Sequence, residues 1–239
     1  IAADEKAGRV PPKDKLNMML YAAQKKGDSA AEGAAIDKLL NYYPSKELWA
    51  QVLGTLQTKR GFSNRFNLDI LRLKLATGNM RGGSDYEDMA QLSGAAGYPE
   101  EGKMVVEKGL AAGALGQGAE AARAKRLLDF LAKKVAANKA AEPAAIAAAN
   151  DSRDGMGLVQ LGLAEAFRGE ASSGVKLIEQ GIAKDQTKRP DDAKLYLGLA
   201  YYLGGDMNKA ISAWRTVRGT DGTADLARLW IVQARSSKH

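Results

Sequence analysis

The chain has 239 residues, with 35 Lys and Arg against 28 Asp and Glu for a formal net charge of +7, and 45% hydrophobic residues of which few are aromatic. The absence of cysteine excludes disulfides, zinc–thiolate sites and cysteine nucleophiles, and the one histidine, His239, is the last residue, a poor place for the rigid imidazole of a metal site or general base. No run approaches the roughly 20 apolar residues that cross a bilayer, and the alanine-rich apolar share favours closely packed helices.

Residues 1–11 read as an N-terminal extension and residues 12–113 as helix pairs. Apolar spacing predicts a helix over 16–26 that stops at Gly27, with a partner over 35–43 that stops at Pro44. A second pair covers 49–56 and 66–76, the latter with Leu68, Leu71 and Leu75 along one side. A third unit spans 84–109, where Tyr86 is an early aromatic, Gly97 the turn, Gly102 a small contact site and Val106 a large one. Residues 114–154 lack these markers. A basic helix, a break at Pro143 and an alanine tract read there as a degenerate helical pair or a spacer, with Phe130 in step with Leu127 and Leu131 as core. A soft domain boundary is expected near 115–119 or 150–155.

Residues 155–217 carry the strongest signal. Leu161-Gly162-Leu163-Ala164 recurs as Leu197-Gly198-Leu199-Ala200 at a shift of 36, and Gly169 aligns with Gly205, Gly174 with Ala210 and Ile178 with Trp214. Gly97 precedes Gly169 by 72 residues, twice that period. Periods of this size mark stacked supersecondary units. In the second copy Leu195, Leu199 and Tyr202 form one stripe, Gly204-Gly205 the turn, Asp206 a cap, and Ala210, Trp214 and Val217 the next stripe. Residues 218–239 hold a last helix over 223–235 whose Leu226, Leu229, Trp230 and Val232 suit a cap on the final repeat.

The order Leu197, Gly198, Tyr201, Gly205, Ala210, Trp214 resembles the tetratricopeptide repeat (TPR). That resemblance implies an all-α fold, an α-α superhelix, or right-handed solenoid of helix pairs, with a C-terminal capping helix. Stretches beginning Tyr42-Tyr43-Pro44-Ser45, Gly61-Phe62-Ser63, Leu75-Ala76-Thr77-Gly78 and Gly219-Thr220-Asp221-Gly222 resemble exported proteobacterial TPR proteins of mostly unassigned function. The resemblance implies a periplasmic or exported location, and Ile1 in place of an initiator Met leaves room for a leader upstream.

No catalytic set is assembled by spacing, so the chain is expected not to be an enzyme and to need no metal or cofactor. Carboxylates such as Asp85, Glu87, Asp88, Glu100 and Glu101 fall at helix starts, where they suit the helix dipole. The run Asn150 to Gly155 mimics a calcium loop but places Leu161 where a bidentate glutamate belongs, and Gly113, Gly116 and Gly118 lack the Gly-Lys-Ser/Thr of a phosphate loop. Both read as turns.

A protein or peptide partner is expected on the concave face of the superhelix, with Asn17, Tyr21, Gln51, Gln57, Glu87, Gln91, Gln160, Tyr196 and Tyr202 as candidates to contact it. Val159, Leu163, Leu195 and Leu199 stand where chaperone-tail readers of the TPR class hold a terminal carboxylate, which counts against that mode. The expected role is therefore a protein–protein interaction scaffold or adaptor in a bacterial envelope assembly. The alternative is a binder of an anionic polymer or membrane surface through the basic helix 123–139, with Arg123, Arg126, Lys133 and Lys134 as contacts. Nucleic acid is disfavoured because basic and acidic stretches alternate along the chain.

Overall fold

Helix boundaries fall where the sequence offers caps and breaks. The computed structural model describes residues 1–116, 118–184 and 186–236, with Ala119 described through its backbone alone; His239 lies outside the described residues. Among the described residues the helices are α1 (Ala2–Lys6), α2 (Lys13–Lys26), α3 (Ser29–Tyr42), α4 (Lys46–Thr58), α5 (Asn67–Ala76), α6 (Gly83–Ala95), α7 (Pro99–Ala111), α8 (Gly118–Asp151), α9 (Met156–Phe167), α10 (Ala171–Ile182), α11 (Pro190–Leu203), α12 (Met207–Trp214) and α13 (Thr223–Ser236). A short 3₁₀ turn, Asn64–Phe66, leads into α5, and no β-strand forms among these residues, so the chain is all-α. Asp28, Ser45 and Asp206 cap α3, α4 and α12 by accepting from the amides of Ala31, Leu48 and Lys209 at 3.0, 3.1 and 3.0 Å.

Neighbouring helices pair: α2 with α3, α6 with α7, α9 with α10, α11 with α12. In the two copies of the 36-residue unit, Gly169 and Gly205 hold φ of 93° and 80°, which turns the chain between the members of each pair without a Cβ penalty. The close approach is built differently in each copy. In the first, Gly162 of α9 meets Gly174 of α10 backbone to backbone, and a Cβ on either would strike the carbonyl of the other. In the second, Gly198 of α11 leaves room for the Trp214 ring instead, and the indole Nε1 donates to the Leu195 carbonyl at 3.0 Å. Trp214 is thereby buried with its one polar atom satisfied.

Residues 118–151 form one continuous helix, which corrects the expected break at Pro143 and the reading of this segment as a helical pair. Proline removes one N–H and crowds the carbonyl four residues earlier, a penalty the remaining turns of this 34-residue helix absorb. The core reading of Phe130 is also overturned, because the inward stripe of α8 runs through Ala124, Leu128, Leu131 and Val135 and Phe130 lies about 120° round from it, 54% exposed. Leu131 enters the α6–α7 pair, with its methyl carbons against Gly94 and Gly102.

One apolar core runs from Leu40 in α3 to Ala234 in α13, with a small satellite of Ala149, Leu158 and Leu177 under the end of α8. Residues on both sides of 115–119 and of 150–155 belong to the larger cluster. Helix α13 packs on α11 and α12, as a cap does, and its opposite side packs on α3 and α5. Arg228 of α13 donates to the Gly33 carbonyl at 3.0 Å and to Asp37, Lys59 reaches Asp225 at 2.8 Å, and the Gln233 amide donates to the Ala76 carbonyl at 2.9 Å. The last helix therefore joins the first third of the chain to the final repeat.

Candidate interaction surface

Asp69 and Arg72 stand one turn apart on α5 in an otherwise apolar run, and both are buried. Arg72 donates Nε and Nη2 to the two oxygens of Glu101 at 2.7 Å each, and Nη1 to Asp69 at 2.8 Å. Glu101 lies in the first turn of α7 and is fully buried. Around the guanidinium stand the rings of Tyr98, Phe167 and Tyr196, at 5.3, 5.4 and 5.6 Å from centroid to Cζ. Burial alone would depress the Arg72 guanidinium, but Glu101 and Asp69 outweigh it and hold it well above its ordinary range, while burial raises Asp69. The group stays charged, and α5 is clamped to α7, α9 and α11 by one side chain.

A second clamp acts at the entrance to α5. Arg65 donates Nε and Nη2 to the buried Asp192 of α11 at 3.2 and 3.0 Å and reaches Asp221 ahead of α13 at 2.5 Å. Although burial works against it, the Thr223 hydroxyl and the Arg65 guanidinium hold the Asp221 carboxyl down to about 2.

These contacts decide where the expected partner-binding residues lie. Tyr196 faces Arg72, and Tyr202 packs 5.1 Å from Trp230 and 6.2 Å from Trp214, ring to ring. The two tyrosines are six residues apart and about 120° apart on α11, so they serve different internal neighbours. The Gln160 amide donates to the Ala96 carbonyl at 3.2 Å and ties α9 to the turn between α6 and α7. Glu87 is half-buried beside Arg123, at 3.9 Å. Asn17 and Tyr21 share an exposed face of α2, Gln51 and Gln57 are exposed on α4 about 120° apart, and Gln91 is exposed on α6. The cavity next to the Arg72 cluster, lined by Met104, Lys108, Tyr202 and Trp230 among others, has a volume of about 110 Å³, too little for a peptide.

The roomier recess is formed by the repeat itself. Between α10, the end of α11 and the start of α12 lies a volume of about 560 Å³ lined by Ala171, Val175, Glu179, Tyr201, Gly204 and Lys209. Small residues at the α9–α10 and α11–α12 turns open it. The Tyr201 hydroxyl donates to Glu179 at 2.7 Å and Lys209 Nζ stands 5.5 Å from the Tyr201 centroid. Burial and the Glu179 carboxylate push the Tyr201 hydroxyl up to about 12, so it remains a donor at neutral pH. An apolar wall beside a fixed tyrosine, a carboxylate and an ammonium group suits an extended segment that offers both backbone polar groups and a small apolar side chain. Tyr201 occurs in the repeat pattern read from the sequence, but its outward position could not be told from those of Tyr196 and Tyr202 by spacing.

The basic candidates Arg123, Arg126, Lys133 and Lys134 are all exposed on α8, and Lys134 Nζ stands 5.4 Å from the centroid of Phe130. Among the described residues no group of three or more Asp, Glu, His or Cys converges as a metal site, and no helix is long and apolar enough to cross a membrane. The mimic of a calcium loop is a turn in which Asp154 accepts from the amides of Met156 and Lys188 at 3.1 and 3.3 Å. No family model matches the chain, and none of the curated proteins or solved structures compared with it matches either.

Proposed function

We propose that the chain is a TPR-type protein–protein interaction scaffold, non-enzymatic, that holds an extended segment of a partner in an envelope assembly. The observation that carries this reading is the pairing of α9 with α10 and α11 with α12 at a 36-residue register, with α9 also packed on α11. Stacked pairs of this kind present extended surfaces and little chemistry. The recess between α10, α11 and α12 is the seat favoured here, because Tyr196, Tyr202 and the Gln160 amide face partners on other helices away from it, whereas Tyr201, Glu179 and Lys209, which contact one another, line an open concavity. The exported location rests on the resemblance of the sequence alone. The test is site-specific photo-crosslinking in cells that make the full chain, with the probe at Val175, at Lys209 or at Gln57. A shared discrete adduct from Val175 and Lys209, absent at Gln57, supports the recess. Adducts from Gln57 alone would move the binding surface to α4, and none from any position would count against a scaffold.

A second reading is favoured by one observation, the exposed Phe130 beside Lys134 with Arg126 and Lys133 on the same side of α8. A basic stripe with an exposed aromatic suits an anionic polymer or membrane surface. Vesicles with and without an anionic lipid, titrated over salt, test it, and equal binding by a variant with Lys133 and Lys134 neutralised would remove it.

A further inference from the structure

The recess between the end of α12, the inner side of α13 and α3 has a volume of about 300 Å³ and is lined by four arginines, Arg215, Arg218, Arg228 and Arg235, against one carboxylate, Asp37. The single acid is already matched. Arg228 is paired with Asp37, donates to the Gly33 carbonyl at 3.0 Å and lies 3.8 Å from Asp225. Arg215 and Arg235 have no carboxylate within ion-pair distance among the described residues. Arg218 is held differently. Its Nη1 donates to the carbonyls of Arg215 and Val217 at 2.6 and 2.9 Å, which folds the side chain over the end of α12 and leaves Nε and Nη2 without hydrogen bonds among the described residues. Val217, Ile231 and Val232 form an apolar floor that lowers the local dielectric and excludes bulk water from one side.

Three arginines that line one concavity concentrate like charge there, and an anion with several oxygens is the complement that planar guanidinium forks match. We propose that this recess binds a small phosphorylated molecule, with Arg215, Arg218 and Arg235 as its direct ligands and Arg228 held in its ion pair with Asp37. The ligand chemistry is phosphoryl rather than carboxylate, since a phosphoryl group offers three acceptor oxygens and more than one charge to the three arginines, against two oxygens and one charge for a carboxylate. The volume lies at the low end of small-molecule sites and is ample for a pyrophosphoryl group. The proposal is independent of the partner-binding recess, because none of its residues lines that surface.

The test is calorimetric titration of the full chain with inorganic pyrophosphate at constant ionic strength, with citrate as the carboxylate arm. Arg215 and Arg235 are exposed, so Arg215→Ala/Arg235→Ala is expected to fold; Arg235→Gln alone serves if it does not. Lys133→Ala/Lys134→Ala removes the same number of charges far along the chain and controls for general attraction to a basic protein. Pyrophosphate is expected to bind the wild type at one site, and affinity is expected to fall roughly tenfold for each guanidinium removed, with the lysine variant unchanged. Absence of binding by the wild type overturns the proposal, as does equal weakening in the two double variants. Equal affinity for citrate overturns the phosphoryl assignment.

Discussion

Arg72 of α5 and Glu101 of α7 face each other through two 2.7 Å hydrogen bonds, and both side chains are buried. A buried pair of this kind stabilises less than its geometry implies, because both charges are desolvated. Removing one partner is another matter. Arg72→Leu leaves Glu101 and Asp69 buried without a counter-charge and is expected to cost about 3–5 kcal/mol in urea unfolding, with part of that recovered when Glu101→Gln and Asp69→Asn are added. A small effect of Arg72→Leu alone would mean that α5 is held mainly by its leucines.

Gly198→Ala tests the close approach in the final repeat. In an ordinary helix this change stabilises by up to about 1 kcal/mol. Here the added Cβ meets the Trp214 ring, which is packed on Trp230 at 5.5 Å and tethered to the Leu195 carbonyl. The sign is expected to reverse, to a loss of about 1–3 kcal/mol, accompanied by a change in tryptophan fluorescence.

Glu100 gives a pH-dependent prediction. Both its oxygens are buried without a side-chain hydrogen bond, and Arg168, 3.8 Å away, is also held by Glu142 and Glu170. Burial raises its carboxyl above the ordinary 4.5, so the charged form is disfavoured in the fold. A raised carboxyl contributes its stability below the unfolded value and loses it as pH rises through the folded one. Glu100→Gln is expected to stabilise by about 1 kcal/mol at neutral pH and to match the wild type near pH 4, as read by thermal unfolding.

Asp221 has the opposite sign. Its carboxyl is held down to about 2 from 3.8, so its contribution is present above the unfolded value and is lost as pH falls through the folded one. Arg65→Ala removes one of the groups that hold it there. The variant is expected to show a flatter fall in urea midpoint between about pH 4 and pH 2 than the wild type. An unchanged slope would assign the depression to Thr223 alone.

Pro143 is exposed within α8. Pro143→Ala restores one backbone donor in mid-helix and is expected to stabilise the chain, by at most about 3 kcal/mol. A loss of stability would show that the course of α8 past this residue is needed to bring Ile146 and Ala149 onto Leu158 and Leu177.

The 36-residue unit, its turns at Gly169 and Gly205 and the Asp206 cap were legible because each arises from residues within a turn or two of one another, where spacing and backbone preference act. The all-α class follows from the same local signals. The placing of α5 and α13 was not legible. Arg65 with Asp192 and Arg228 with Asp37 join residues 127 and 191 positions apart, and no period in the sequence marks such pairs. The charged Asp69 and Arg72 inside an apolar run were the one local sign that α5 is buried on all sides. Tyr196, Tyr201 and Tyr202 all lie on a helix with more than one apolar side, and only packing against α5, α10 and α13 decided which turned inward. Phe130 differs for the reverse reason: a spacing of three from Leu127 fits the edge of a core stripe, and α8 meets its neighbours along a narrower line through Ala124, Leu128 and Leu131. Sequence by itself determined most of the helices and the pairing of α2 with α3, α6 with α7, α9 with α10 and α11 with α12, through local propensity and periodicity; it did not determine the unbroken course of α8. Tertiary structure decided which faces remain for a partner, because that depends on where distant helices come to rest.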